Sequence, residues 1–185
     1  MSMAKLMKSI AVFSLIIMVI LAVLYVKTGT AALLSLAITF GTTFYHLAMR
    51  LLVGFVFNAV MKNKADCHKR WFRVSKWGTA LYEKLKVRKW KSKMPTYHAA
   101  LFDPRIHTWD EIAQAMCQAE LVHETIVVLS FLPILAGIRF GAYPVFIITS
   151  VLAAAFNVMF VIMQRYNRPR ILLPAERRRV LKSTI

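Results

Sequence analysis

The sequence predicts an all-α, polytopic integral membrane protein. About four transmembrane helices are expected, with a basic, aromatic-rich cytoplasmic interfacial segment between helices two and three. Three observations lead there. Of 185 residues, 58% are hydrophobic and the mean hydropathy is +0.55, whereas soluble domains are about 45–50% apolar. Lys and Arg number 25 against 8 Asp and Glu, a formal charge of +17. The apolar residues also gather in long uncharged runs instead of recurring at the spacing of a soluble core. A soluble nucleic-acid-binding domain carries such charge on a polar composition, so membrane lipids are the expected partners and nucleic acid is not.

A spanning helix needs about 20 mostly apolar residues to cross roughly 30 Å of hydrocarbon. The first candidate, Ile10–Val26, is uncharged and bracketed by Lys8 and Lys27. Val26-Lys27-Thr28 lacks the small-x-small pattern of a signal-peptide cleavage site, so an uncleaved helix is expected. The second covers 28–49, and the apolar pattern resumes after Arg50, so this helix is expected to run on toward Met61. The third, 113–137, is apolar except near its start, and the fourth, about 140–163, ends in Gln164-Arg165. One membrane domain over 1–185 is expected, with a basic tail at 165–185. Cys67 and Cys117 stand 50 apart without a CxxC pattern or a His at metal spacing. They read as two free thiols rather than a disulfide or zinc scaffold, and no metal is expected.

Charge sets the orientation of these spans. With four of them, 23 of the 25 Lys and Arg fall on one side and only Lys27 and Arg139 on the other. Both termini and the central segment are therefore expected in the cytoplasm. The central segment, 62–112, interleaves bases with Trp71, Phe72, Trp77, Tyr82, Trp90, Tyr97, Phe102 and Trp109. Trp77, Leu81 and Leu85 share one helix face, as in a segment lying among lipid headgroups. An electrostatic anchor to anionic lipid would account for most of this charge.

Ionisable side chains at membrane depth are costly and point to function. Glu120 and His123 stand at i and i+3 on one face, with Glu124 further round. A carboxylate beside an imidazole orients it and raises its basicity, and such a His can take a proton from a hydroxyl attacking an acyl carbonyl. The alternative is a Glu–His pair that locks the third span to a neighbour. His46 lies near the cytoplasmic end of the second span and is a secondary candidate. So is His98, which with Asp103 forms an H-x4-D spacing like that of glycerolipid acyltransferases. The run Gln164-Arg165-Tyr166-Asn167-Arg168-Pro169-Arg170 closes the fourth span. Pro169 is expected to end the helix and fan the arginines out, in position to clamp a phosphate or carboxylate.

Three strings occur in order: Lys76-Trp77-Gly78 leading to Val87-Arg88-Lys89-Trp90-Lys91, then Ala119-Glu120-Leu121-Val122-His123, then Asn157 leading to Gln164–Arg170. Over roughly Trp71–Leu172 the chain resembles the glycosyl-4,4'-diaponeurosporenoate acyltransferases of staphyloxanthin-type carotenoid synthesis. The resemblance implies a small bacterial membrane enzyme that esterifies a lipid-linked sugar hydroxyl with a fatty acyl chain. It also implies a shared site of Glu120, His123, Trp90, Lys91, Arg165, Asn167, Arg168 and Arg170. The chain departs from the family after Pro95, where Thr96-Tyr97-His98 replaces an acidic-glycine turn. Its two N-terminal spans are also longer than those of the carotenoid enzyme.

The expected activity is thus O-acyl transfer to an amphiphilic acceptor, with His123 as base oriented by Glu120. The basic residues would hold an anionic donor, either an acyl thioester or a phospholipid, and no bound cofactor is expected. Two other readings stand beside it: a lipid-binding or assembly subunit, and a membrane enzyme acting on a lipid phosphate or prenyl chain.

Overall fold

The computed structural model describes residues 3–95 and 99–183, with residues 99 and 173–183 described by backbone alone. Of the described residues, 84% are helical. Its helices are α1 (Met3–Thr28), α2 (Ala31–Met61), α3 (Lys76–Lys84), α4 (Val87–Trp90), α5 (Trp109–Leu129), α6 (Gly137–Phe140) and α7 (Tyr143–Ser183). Four stretches among the described residues are long and apolar enough to cross a membrane: Met3–Thr28, Ala31–Met61, Trp109–Phe140 and Tyr143–Leu172. This is the all-α membrane architecture that the apolar runs predict.

Two compact units divide the chain. The first comprises Met1–Phe55 and Thr125–Asn157. Its buried positions are mostly small or weakly polar, such as Ala11, Ser14, Ala37, Thr42, Ser130 and Ser150, while Val12, Phe13, Ile16, Leu52 and Phe55 are exposed. Lipid is as apolar as leucine, so helices in a bilayer associate through close packing of small residues and leave large ones to the lipid. The apolar stretch holding α5 breaks after Leu129 and continues as a 3-10 turn over Leu132–Ala136 before α6. The Leu129 carbonyl would take its helical hydrogen bond from residue 133, which is proline and has no N–H. The Tyr45 hydroxyl donates to that carbonyl instead, at 2.9 Å, satisfying a group that the membrane interior would leave without water. At Gly137 a Cβ would stand 2.6 Å from the Tyr143 ring, so any larger residue would have to displace that ring.

The second unit comprises Val56–Glu124 and Val158–Ile185. After α2 the backbone turns through the left-handed region at Lys62 and Asn63. Asn63 and Gln118 then exchange two hydrogen bonds, Asn63 N to Oε1 at 2.7 Å and Gln118 Nε2 to Oδ1 at 3.0 Å. Ser75 caps α3 by accepting from Gly78 N at 3.1 Å. Thr108 and Glu111 form a reciprocal cap at the start of α5, with Glu111 Oε2 accepting from Thr108 N at 2.8 Å and Thr108 Oγ1 from Glu111 N at 3.3 Å. Within α3 Gly78 and Tyr82 are buried, while Trp77, and Leu85 just past the helix end, are exposed. Two clusters hold the unit together: Ala65, Phe72 and Cys117, and Tyr82, Val87 and Tyr166.

One expectation is corrected here. Pro169 does not end the fourth long helix, because α7 continues helical through it to Ser183. The missing N–H of Pro169 removes a single helical bond. Side-chain anchors from Arg165 and Arg168 to α5, described below, hold the helix on the N-terminal side of that gap. Arg165 and Arg168 therefore stand at i and i+3 on one face instead of fanning out.

Candidate active site

Glu120 is fully buried on α5 and Arg168 is 2% exposed on α7. An unpaired charge at such a place would cost several kcal/mol, so each must find the other. Arg165 Nε donates to Glu120 Oε1 at 2.6 Å, and Arg168 donates to the second oxygen, Oε2. The remaining reach of both arginines is also taken. Arg165 donates to Glu124 Oε1 at 2.8 Å, and Arg168 to the carbonyl of Phe72, over whose ring its guanidinium lies at 5.0 Å. Trp71 Nε1 closes the set by donating to Glu124 Oε2 at 2.8 Å. Two acids and two arginines thus form a neutral network joining α5, α7 and the 3-10 turn at Arg70–Phe72.

His123 lies one turn beyond Glu120, and its ring is stacked flat on Phe160 of α7, centroids 4.5 Å apart at an interplanar angle of 6°. Glu120, His123, Glu124, Arg165 and Arg168 therefore sit along the facing sides of α5 and α7. The sequence places Glu120 and His123 on one face. What the structure adds is that both oxygens of Glu120 receive arginines, so its carboxylate ties α5 to α7.

The other expected residues form a second group in the same unit. Lys91 Nζ donates to Asn167 Oδ1 at 2.6 Å and stands 5.0 Å from the centre of the Tyr166 ring. The Arg170 guanidinium lies over the same ring at 3.6 Å and donates to the Tyr166 carbonyl. Trp90 donates from Nε1 to the Leu85 carbonyl at 3.1 Å and packs with Val87 and Tyr166. Partial burial holds the Lys91 ammonium below the ordinary lysine range, and the nearby charges of Arg170 and Arg88 push it the same way. Burial raises the Tyr82 hydroxyl above the usual tyrosine range, and Tyr82 meets Tyr166 edge to face at 6.4 Å.

Three secondary candidates belong to neither of these groups. His46 belongs to the first unit, edge-on to Tyr45 at 5.5 Å, with both ring nitrogens buried and without a hydrogen-bond partner among the described residues. Asp103 pairs with Arg105 at 2.7 Å in an exposed turn, where that guanidinium holds its carboxyl below the usual range. His98 lies outside the described residues. Cys67 and Cys117 are free thiols. A cavity of about 280 Å³ in the second unit is lined by Asp66, Cys67, His68, Asp110 and Gln114 among others, and none of the expected site residues lines it.

Trp71, Phe72 and Tyr166 are participants that residue spacing does not single out. The signal for Trp71 and Phe72 was the interleaving of aromatics with bases, which reads equally well as a headgroup anchor, and that for Tyr166 was its place within the Gln164–Arg170 run.

The glycosyl-4,4'-diaponeurosporenoate acyltransferase family model matches residues 68–177, well over half of the chain. The protein belongs to that family. It is accordingly an enzyme, an acyltransferase, and a membrane protein by its four long apolar helices. Every residue of the Glu120 network and of the Lys91 group lies in the matched segment, and so does His123, whereas His46 lies before it. No curated protein and no solved structure shows significant similarity to the chain.

Proposed function

We propose that this acyltransferase moves a fatty acyl chain onto a hydroxyl of a lipid-linked sugar or related amphiphile, at the cytoplasmic face of a bacterial cell membrane. The observation that carries this reading is His123, stacked on Phe160 one turn from the buried Glu120–Arg165–Arg168 network within the family-matched segment. His123 takes the proton of the acceptor hydroxyl as its oxygen attacks the acyl carbonyl. The tetrahedral intermediate then expels the donor's thiolate or alkoxide, and the imidazolium returns the proton to that leaving group. Glu120 serves by holding α5 on α7, which fixes where His123 points. Both reactants are amphiphiles, so a site at headgroup depth lets their tails remain in lipid while the polar ends meet in a fixed geometry. The distribution of 23 of 25 bases to one side supports cytoplasmic termini and a cytoplasmic central segment.

Substituting His123→Ala tests the chemistry. The variant is expected to reach the membrane at wild-type yield while the acylated glycolipid disappears from the lipid mass spectrum of expressing cells. An active His123→Ala protein would overturn the assignment, and loss of activity in His46→Ala alone would transfer the role of base to His46.

A further inference from the structure

Two of the three arginines that the sequence marks as an anion clamp, Arg165 and Arg168, are already neutralised. Arg165 and Arg168 lie on Glu120 and Glu124, and Arg105 lies on Asp103. Arg88, Lys91 and Arg170 take part in none of the ion pairs among the described residues. Two of these cations nevertheless share one aromatic platform. Lys91 Nζ and the Arg170 guanidinium stand 5.0 and 3.6 Å from the centre of the Tyr166 ring. Arg88 stands on α4, three residues before Lys91.

This group is built and not merely exposed. Tyr166 is buried and braced edge-on by Tyr82. Asn167 fixes the Lys91 ammonium at 2.6 Å, and Trp90 ties its short helix back to the Leu85 carbonyl. Burial lowers the basicity of Lys91 first, and repulsion from the gathered charges of Arg170 and Arg88 lowers it further. A bound anion would offset that repulsion.

We infer that Lys91 and Arg170 on the Tyr166 platform, with Arg88 beside them, form a binding site for the phosphate ester of the acyl donor. A phosphate offers several acceptor oxygens and one or two negative charges, which suits a lysine ammonium beside forked guanidinium donors. The role in acyl transfer rests on the function proposed above, but the binding of a phosphate ester does not. Two donors carry this chemistry: a phosphopantetheine thioester and a phospholipid.

The test uses the full chain in nanodiscs of zwitterionic lipid. Two probes are titrated: coenzyme A, and phosphatidylglycerol supplied as a minor lipid and read as lipid retained on the protein. The Lys91→Ala/Arg170→Ala variant is expected to bind the wild type's preferred probe at least tenfold more weakly, with helical circular dichroism unchanged. Lys91→Arg is expected to retain most of the binding. Lys84→Ala/Lys89→Ala removes the same net charge nearby and is expected to bind as the wild type does. Preference for coenzyme A identifies a thioester donor, and preference for phosphatidylglycerol identifies a phospholipid. Binding unchanged in the folded Lys91→Ala/Arg170→Ala variant, equal losses in the two double variants, or no binding of either probe by the wild type overturns the site. His123→Ala separates this inference from the proposed chemistry, because it should bind the probe normally whether or not it turns over.

Discussion

At Glu120 a single carboxylate sets the state of two arginines, so its removal should act on folding before chemistry. Glu120→Ala leaves Arg168 buried without its counter-charge, a loss expected to cost about 3–5 kcal/mol. The purified variant should melt well below the wild type in detergent. Glu124→Gln keeps a hydrogen-bonding side chain at a half-buried position, and its ion pair is worth about 1 kcal/mol or less. A melting point as low for Glu124→Gln as for Glu120→Ala would mean that the network is not centred on Glu120. Lys91 gives a prediction in pH. Its pKa is lowered by burial and then by Arg170 and Arg88, and an anion binds only its charged form. Affinity for a phosphate probe should hold at neutral pH and decline on the alkaline side sooner than for an exposed lysine. Lys91→Arg should abolish that decline in a binding titration across pH.

Individual elements end where a residue supplies or withholds a hydrogen bond. The break after α5 depends on Pro133 withholding an N–H and Tyr45 supplying a hydroxyl to the Leu129 carbonyl. Tyr45→Phe should therefore destabilise the protein by about 1 kcal/mol, seen as a lowered melting point with the helix content retained. At the other end of α5, Thr108→Ala removes one half of a reciprocal cap and should cost about 1 kcal/mol. Gly137→Ala drives a methyl into the Tyr143 ring and should cost about 1–3 kcal/mol through overpacking.

For the whole molecule the governing quantity is the placement of charge about four apolar stretches. Single cysteines, introduced after both native ones are replaced, can be labelled in intact cells with a membrane-impermeant maleimide. Thr30→Cys, in the short link after α1, should react, and Lys69→Cys, in the central segment, should be protected until the cells are opened. The reverse pattern would overturn the orientation read from the basic residues.

The sequence by itself determined the helical membrane class, the long apolar helices and the family to which the chain belongs. Uncharged runs of bilayer length and a lopsided distribution of bases are properties of the chain that no packing arrangement can undo. It also placed Glu120 and His123 on one helix face, because three residues make nearly one turn. It could not say which acid meets which base. Arg165, Arg168 and Arg170 read as equivalent cations in one short run, and only the packing of α5 against α7 sends the first two onto Glu120 and leaves the third over Tyr166. Pro169 read as a helix end because its local preference is for termination, and tertiary anchors from Arg165 and Arg168 outweighed that preference. Burial decided the rest, since a charge with no water nearby must take whatever partner the fold brings within reach.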